Sequence, residues 1–599
     1  MIAEMGSTME QSSHTVNVFL PGVLGLLTDN LYTSPSVAVR ECLQNAYDAI
    51  LRRWAQDENF EPAIQLSLGD GTLTFHDNGA GLTEGDIHEY LATVGQSLTR
   101  QVKARQQATP YPLIGEFGLG LLSAFTIASQ VEVTTRSITS AQAWRWVSTG
   151  DGTYKLGPAV MPQPGTRVRL HLKEAGAFLL NAGTLKEVVR TYADLLPVPI
   201  TLEGEAEPIN AMQAPWHDAA VTDIDYFTYI VEKTAANPYA VVPLPNAGID
   251  VDLRGVLYIP SDVVLSVNES GRARVYNRRM FITAEESGLL PRWARFVSAI
   301  IESDDLEPTA SREGLRQTEA YHAIQRYIEE YLFAAFKTLA REYPTVWASI
   351  VDEYNDLIIG WAVESPQLFD AVADLVSFRT NMGHMTLSAY AQRSEVLYFT
   401  VHDHIARSMG VVASVQGMPI IDAGRFGEEE FIRLYAHHAG RDAVLIDHTT
   451  LADETLFKTV EPPATSWELI SGYFQQQGMR VRLTTFEPPA LPAVLIIPGG
   501  AHTVDEPFEG GEHGPAFAFL VEEFMHRHQT PEASPLLMLN TASSLLKRLA
   551  ALPAGSQALT PALEIVLQST QLWAQGARSF EAMQKSYVML SYSLEQLVE

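Results

Sequence analysis

The chain is 599 residues long, room for about three or four domains at ~150 residues each. It has 41 Lys+Arg against 71 Asp+Glu, a formal charge of −30, which opposes nonspecific binding to nucleic acid or anionic membranes. A 46 % hydrophobic, 19 % charged composition argues for packed cores rather than disorder, and the single cysteine, Cys42, excludes an intrachain disulfide or a cysteine-built zinc or iron–sulfur site. Residues 1–14 lack the basic segment and apolar run of a signal peptide. No stretch approaches the ~18 uncharged apolar residues of a membrane span. The expectation is a soluble, cytoplasmic protein.

In chain order, the first element is a helix. Ser34 is placed to cap it and Pro35 to open it. Leu43, Ala46, Tyr47, Ile50 and Trp54 then recur at spacings of three and four, while Glu41 and Asn45 share a neighbouring face. Ile64, Leu66 and Leu68 alternate with polar residues, Gly69-Asp70-Gly71 turns the chain, and Leu73 and Phe75 resume the alternation. This second strand runs into Asp77-Asn78-Gly79-Ala80-Gly81. A carboxylate at a strand end followed by glycines lets a ligand approach the backbone while the acid accepts its hydrogen bonds.

Residues 96–112 are polar and read as a lid or loop. They lead to Gly115-Glu116-Phe117-Gly118-Leu119-Gly120 and an apolar helical stretch through Phe125 and Ile127. Glycine-rich loops at helix starts present N–H groups to phosphate. Strands are expected at Val131–Thr135, Ala143–Ser148 and Thr166–Lys173. Taken singly, each motif reads more readily as a turn or a solvated helix face than as a site. The glycine spacing matches neither a dinucleotide-binding fingerprint nor a Walker loop.

The composite, Glu-x-x-x-Asn on a helix, Asp-x-Gly-x-Gly, Gly-x-x-Gly-x-Gly, then a strand opened by Gly165-Thr166, resembles the nucleotide-binding module shared by type II topoisomerases, MutL mismatch-repair proteins, sensor histidine kinases and heat shock protein 90 chaperones. The segment Val39-Arg40-Glu41-Cys42-Leu43-Gln44-Asn45-Ala46-Tyr47-Asp48-Ala49 and residues 113–137 are most similar to the heat shock protein 90 family, of the bacterial type. Gly255–Pro260, Val275–Ile282, Leu289–Trp293 and Ser311-Arg312-Glu313 resemble that family's middle-domain landmarks, with looser similarity at Val481–Thr484 and Leu539-Asn540. The resemblance weakens beyond about residue 345, so the C-terminal third is divergent.

The resemblance implies an α/β (α+β) multidomain chain. Residues 1–205 would form an N-terminal ATP-binding domain, a Bergerat-type α/β sandwich on a mixed, largely antiparallel sheet. Residues 206–460 would form an α/β middle domain, with a large part to 340, a helical part at 341–395 and a small α/β part at 396–460. Residues 461–599 would form a mixed α/β dimerisation domain ending in helices around 545–552, 562–573 and 587–597.

The implied activity is slow Mg²⁺-dependent ATP hydrolysis driving dimer closure and remodelling of client proteins. Glu41 would be the general base, Arg312 the middle-domain arginine acting on the γ-phosphate, and Arg40 would orient either Glu41 or the docking surface. Asn45 would complete the Mg²⁺ shell. Asp77, with Thr166, would accept the adenine amino group. The remaining nucleotide contacts would come from Asp48, Ala49, Gly79, Gly81, Leu82, Ser97, Gly115, Phe117, Gly118, Leu119, Gly120 and Phe125.

Gln96 stands where the family carries a phosphate-side lysine, and Tyr90 where it carries an asparagine. Lys103 and Arg105 are candidates to compensate. The chain ends without the acidic peptide of eukaryotic cytosolic relatives, so cochaperones that read that peptide are not expected. Two competing functions are a DNA-linked ATPase, disfavoured by the charge, and a nucleotide-gated interaction scaffold with little turnover.

Overall fold

The computed structural model describes residues 34–57, 59–91, 114, 120–245, 250–261, 271–309, 311–447, 457–461, 465–497, 534–553 and 555–575. The lid at 96–112 with Gln96, Ser97, Lys103 and Arg105, the loop residues Gly115, Phe117, Gly118 and Leu119, and the last expected helix at 587–597 lie outside them. Two compact units emerge. One comprises Met1–Ser261, Arg272–Leu290 and Ser298–Tyr327; the other comprises Asp262–Gly271, Pro291–Val297 and Ile328–Glu599.

The first unit begins with helix α1, Val37–Trp54. Ser34 Oγ accepts from the Ser36 N–H at 3.3 Å and the Ser34 carbonyl from Val37 N–H at 3.2 Å, closing a turn ahead of the helix. The N-cap is Ser36, with no side-chain cap bond, so the helix starts two residues past Pro35 rather than being capped by Ser34. The strands that follow are β1 (Ile64–Gly69), β2 (Thr72–Asp77), β3 (Ala128–Arg136), β4 (Ala143–Ser148), β5 (Lys155–Ala159), β6 (Gly165–Leu172) and β7 (Ile200–Leu202). They form one sheet in the order β5-β4-β3-β6-β2-β1-β7. Every pairing is antiparallel except β1 with β7. This is the mixed, largely antiparallel sheet that the motif order implies.

Alternation along the strands turns Leu66, Leu73, Phe75, Val133 and Leu170 into a core with Leu43, Tyr47 and Ile50 of α1 and Leu185 and Val189 of helix α2, Ala182–Ala193. Burying Leu43 or Ile50 in full contributes on the order of 1.5–3 kcal/mol each.

The stretch from 120 differs from expectation. It is a short helix, Gly120–Ser123, tightening into a 3₁₀ turn, Ala124–Thr126. The Ser123 and Thr126 hydroxyls each donate to a carbonyl three residues back, which stops the helix before β3. The connector after β7 is also firmly placed. Asn210, buried, accepts from Ile200 N–H and donates to the Leu196 and Val198 carbonyls.

Still in this unit, helix α3 (Asp223–Thr234) precedes a second sheet of β8 (Pro238–Leu244), β9 (Arg254–Pro260), β10 (Ala273–Asn277), β11 (Met280–Glu286) and β12 (Ser298–Glu302), ordered β11-β10-β12-β9-β8. Asn277 closes the β10–β11 turn and donates to the carbonyls of Ser303 at 2.9 Å and Leu306 at 2.8 Å. It thereby pins the segment leaving β12. That segment folds back through a bridge between Pro308 and Leu315, with Thr309 N–H bonded to the Gly314 carbonyl. Arg312 is at the tip of this loop.

The chain crosses from one unit to the other within helix α4, Glu319–Glu342. In the second unit, helix α5 (Pro344–Glu364) leads to a sheet of β13 (Ser377–Thr380), β14 (Gly383–Thr386), β15 (Val396–Thr400), β16 (Ile421–Asp422) and β17 (Asp442–Leu445), with helices α6 (Asp403–Val415) and α7 (Glu428–Ala439) between strands. The β13–β14 hairpin falls within 341–395, expected to be helical. Asn381-Met382-Gly383 turns the chain there, with Gly383 at φ +98°, a conformation a helix cannot contain.

The last sheet, β18 (Lys458–Thr459), β19 (Arg480–Thr485), β20 (Ala493–Ile496) and β21 (Leu536–Asn540), packs with helices α8 (Thr465–Gln476) and α9 (Leu559–Gln575) through Phe474, Leu537, Leu539 and Leu567. No helix among the described residues is long and apolar enough to cross a membrane.

Candidate active site

Helix α1 carries two polar columns at four-residue spacing, Arg40-Gln44-Asp48 and Glu41-Asn45. The sequence reading treats this side as flanking the apolar stripe. In the structure Arg40, Glu41, Gln44 and Asp48 are all buried, and only Asn45 is exposed. Buried polar groups need partners, and these come from distant segments.

Arg40 donates through Nε and Nη2 to Glu41 Oε1 at 3.3 and 3.2 Å. It also donates to the carbonyls of Arg312 and Ser311, each at 3.0 Å. One guanidinium thus orients the carboxylate and clamps the arginine loop. Asp48 Oδ1 accepts from the Ile114 N–H at 2.8 Å, fixing the residue just before the glycine loop.

Arg312 is buried, with φ +56°, a strained value for a non-glycine residue. Its Nη1 donates to Gln44 Oε1 at 2.5 Å and its Nη2 to the Ile114 carbonyl at 3.2 Å. Its Nε stands 3.8 Å from Glu41 Oε1. Arg312 is packed within the same compact unit as α1.

On the other side, Gly120 abuts Glu41 and Asn45. A Cβ at Gly120 would come 2.7 Å from Glu41 Oε2 and 3.5 Å from Asn45 Nδ2. Glu41, Asn45, Gly120 and Arg312 therefore lie together, with Glu41 Oε1 toward the guanidinia and Oε2 toward Gly120.

The second pole is Asp77, buried at the end of β2 and paired in register with Thr166. Its Oδ1 accepts from Gly79 N–H at 2.9 Å. Burial pushes its carboxyl up to about 7, against the pull of that N–H and of the Arg52 charge. Thr135 Oγ1 lies 3.1 Å from Thr166 Oγ1 and accepts from Leu82 N–H at 2.9 Å.

The loop between Asp77 and Leu82 fits only glycine at two places. A Cβ at Gly79 would meet the Ala49 carbonyl carbon at 2.5 Å, and one at Gly81, where φ is +62°, would lie 1.9 Å from the Arg136 carbonyl oxygen. Phe125 is buried, and its carbonyl accepts from Lys173 Nζ at 2.9 Å.

Asn45 and Glu41 offer oxygen donors to a hard cation. Mg²⁺ is commonly held by one or two protein oxygens with substrate phosphates and waters. Among the described residues no group of three or more His, Cys, Asp or Glu could hold a metal, so this donor set fits Mg²⁺ only when phosphate supplies the rest.

Sequence reasoning missed Gln44, Thr135 and the Ile114 backbone. The four-residue spacing of Arg40, Gln44 and Asp48 was the available signal for Gln44. Cys42 is buried beside Glu41, and burial pushes its thiol up to about 12, consistent with a packing role rather than a reactive one.

Residues 32–157 match the family model described as histidine kinase-, DNA gyrase B- and HSP90-like ATPase. Residues 202–407 match the model for Hsp90 protein. Among curated relatives, "Chaperone protein HtpG" of Methylobacterium nodulans is 32 % identical over 441 residues, 69 % of this chain and 71 % of that one. The protein of the same name in Methylobacterium sp. (strain 4-46) is 33 % identical over 445 residues, with the same coverage. That of Roseobacter denitrificans is 26 % identical over 475 residues, 75 % of this chain and 74 % of that one. These matches do not favour the DNA-linked and scaffold alternatives. The chain belongs to the heat shock protein 90 family of chaperones and carries that family's ATPase domain.

Proposed function

We propose that the first unit binds ATP with Mg²⁺ and hydrolyses it slowly, and that the cycle drives closure of a homodimer on client proteins. The observation that carries this reading is the meeting of Glu41 and Arg312, far apart in sequence, at 3.8 Å beside Gly120.

Glu41 is the general base. Arg40 holds one carboxylate oxygen, and the other accepts the proton of the attacking water. Arg312 places its positive charge against the γ-phosphate, where charge redistributes in the transition state. Asn45 would hold Mg²⁺, which when bound would supply charge neutralisation at the phosphates. Asp77, with Thr166, accepts a hydrogen bond from the exocyclic amine of adenine at the far pole. Gly79, Gly81 and Leu82 shape that end with Asp48, Ala49 and Phe125, while the resemblance assigns the phosphate side to Gly115, Phe117, Gly118, Leu119, Gly120 and Ser97.

The proposed organisation is residues 1–205 for ATP, 206–460 as middle domain and 461–599 for dimerisation, in the cytoplasm, with no nucleic-acid partner. The relatives' name, chaperone, supports the client-binding part.

The test is steady-state ATPase activity of wild type, Glu41→Ala and Arg312→Ala, with and without Mg²⁺, alongside sedimentation. Glu41→Ala should lose roughly 10²–10⁴-fold in turnover while still binding ATP, and chelation should stop the wild type. Unchanged turnover in Glu41→Ala would overturn the assignment. ATP binding without turnover in the wild type would favour the scaffold, and a monomer by sedimentation would remove the clamp.

A further inference from the structure

We infer that Gln44 is a positioning residue for Arg312, holding the guanidinium beside Glu41 through its side-chain amide oxygen. This rests on the ATPase reading proposed above and names how its arginine is aimed.

Arg312 cannot place itself. Its backbone adopts φ +56° at the tip of a tight loop, and its side chain enters a buried pocket, where an unsatisfied guanidinium is costly. Gln44 Oε1 takes Nη1 at 2.5 Å and the Ile114 carbonyl takes Nη2 at 3.2 Å. Glu41 Oε1 pairs with Nε at 3.8 Å, beyond hydrogen-bond length, and its nearer partner is Arg40.

An apolar side chain at position 44 would remove the oxygen that meets Nη1. Gln44 is itself buried on a long helix, so its carbonyl is held at fixed depth. Because Ile114 is also bonded to Asp48, Arg312 is registered against the segment entering the glycine loop.

The test is a double-mutant cycle on the full chain, reading kcat and KM for MgATP with ATP affinity and thermal unfolding as controls. Gln44→Met should lower kcat about tenfold, the rate equivalent of one hydrogen bond to a charged group, with KM within about twofold, since ground-state contacts remain. In the Arg312→Ala background Gln44→Met should cost nothing further. Where Gln44→Met alone folds poorly, the double variant should recover, because both partners of the buried bond are then gone.

An equal loss from Gln44→Met in both backgrounds would mean that Gln44 acts on the helix rather than on Arg312, and would overturn the inference. Wild-type kcat in Gln44→Met, with Arg312→Ala impaired, would overturn it while leaving the ATPase reading intact. No effect of Arg312→Ala would overturn the role of Arg312 and this inference together.

Discussion

Asp77 shows how one buried group sets a measurable pH dependence. Burial holds its carboxyl up at about 7, so the folded protein keeps a proton there that the unfolded chain has released by about pH 4–5. The stability tied to that proton is fully present below the ordinary carboxylate range and is lost as pH rises through about 7. A ligand that donates an N–H to Asp77 selects the ionised form. ADP affinity should therefore climb as pH rises from 6 to 8, by up to about tenfold per unit below 7, and Asp77→Asn should remove that slope. Calorimetric titration of both proteins across this range decides it, and a wild-type slope no steeper than the variant's would mean that the carboxylate does not meet the base. The same substitution should stabilise the ligand-free protein at pH 8, because it removes a buried ionisable group.

At the scale of elements, the loop from Asp77 to Leu82 and the β1–β2 turn look alike in sequence, each built on glycines, yet they answer to different constraints. Gly71 sits at φ +66° with nothing within 4 Å of the place a methyl would take, whereas at Gly81 a methyl would overlap the Arg136 carbonyl. Gly71→Ala should cost only the left-handed backbone penalty, about 1–2 kcal/mol, and leave nucleotide binding unchanged. Gly81→Ala should push the loop off β3, destabilise the first unit by about 3 kcal/mol or more, and weaken ADP binding. Chemical denaturation with ADP titration separates them; equal effects would contradict the close approach at Gly81.

The strands β1 to β4 and β6 and helix α1 were readable from their periods, because alternation and three-to-four spacing are local signals; β5 was not among the strands expected. The β13–β14 hairpin was not, since strands of four residues give too short a pattern and Gly383 alone marks the turn. The early stop of the Gly120–Ser123 helix depended on hydroxyl-to-carbonyl bonds that apolar periodicity does not register.

At the scale of the molecule, two compact units with their own cores should not unfold as one. Leu43 and Leu537 are both fully buried, one in each. Leu43→Ala and Leu537→Ala should each cost about 2–5 kcal/mol and lower different transitions in calorimetry; a shift of the whole profile by either would show that the units melt together. The charge of −30 bears on partners at this scale too. DNA should not be retained at physiological salt, and tight salt-sensitive binding in a mobility-shift titration would contradict the acidic balance.

By itself the sequence determined the chemistry on offer: Glu41 four residues before Asn45, Asp77 ahead of two glycines, the glycine run closing at Gly120, and Arg312 between Ser311 and Glu313. Spacing along one helix or turn is a short-range property, fixed by backbone geometry wherever the segment lies. Only the tertiary structure decided that Arg40 clamps a loop 272 residues away, that Gln44 receives Arg312 across 268 residues, and that Asp48 fixes Ile114. Those contacts follow from how the sheets and α1 bury their apolar faces, and a buried polar side chain then bonds whichever partner that packing brings within about 3 Å.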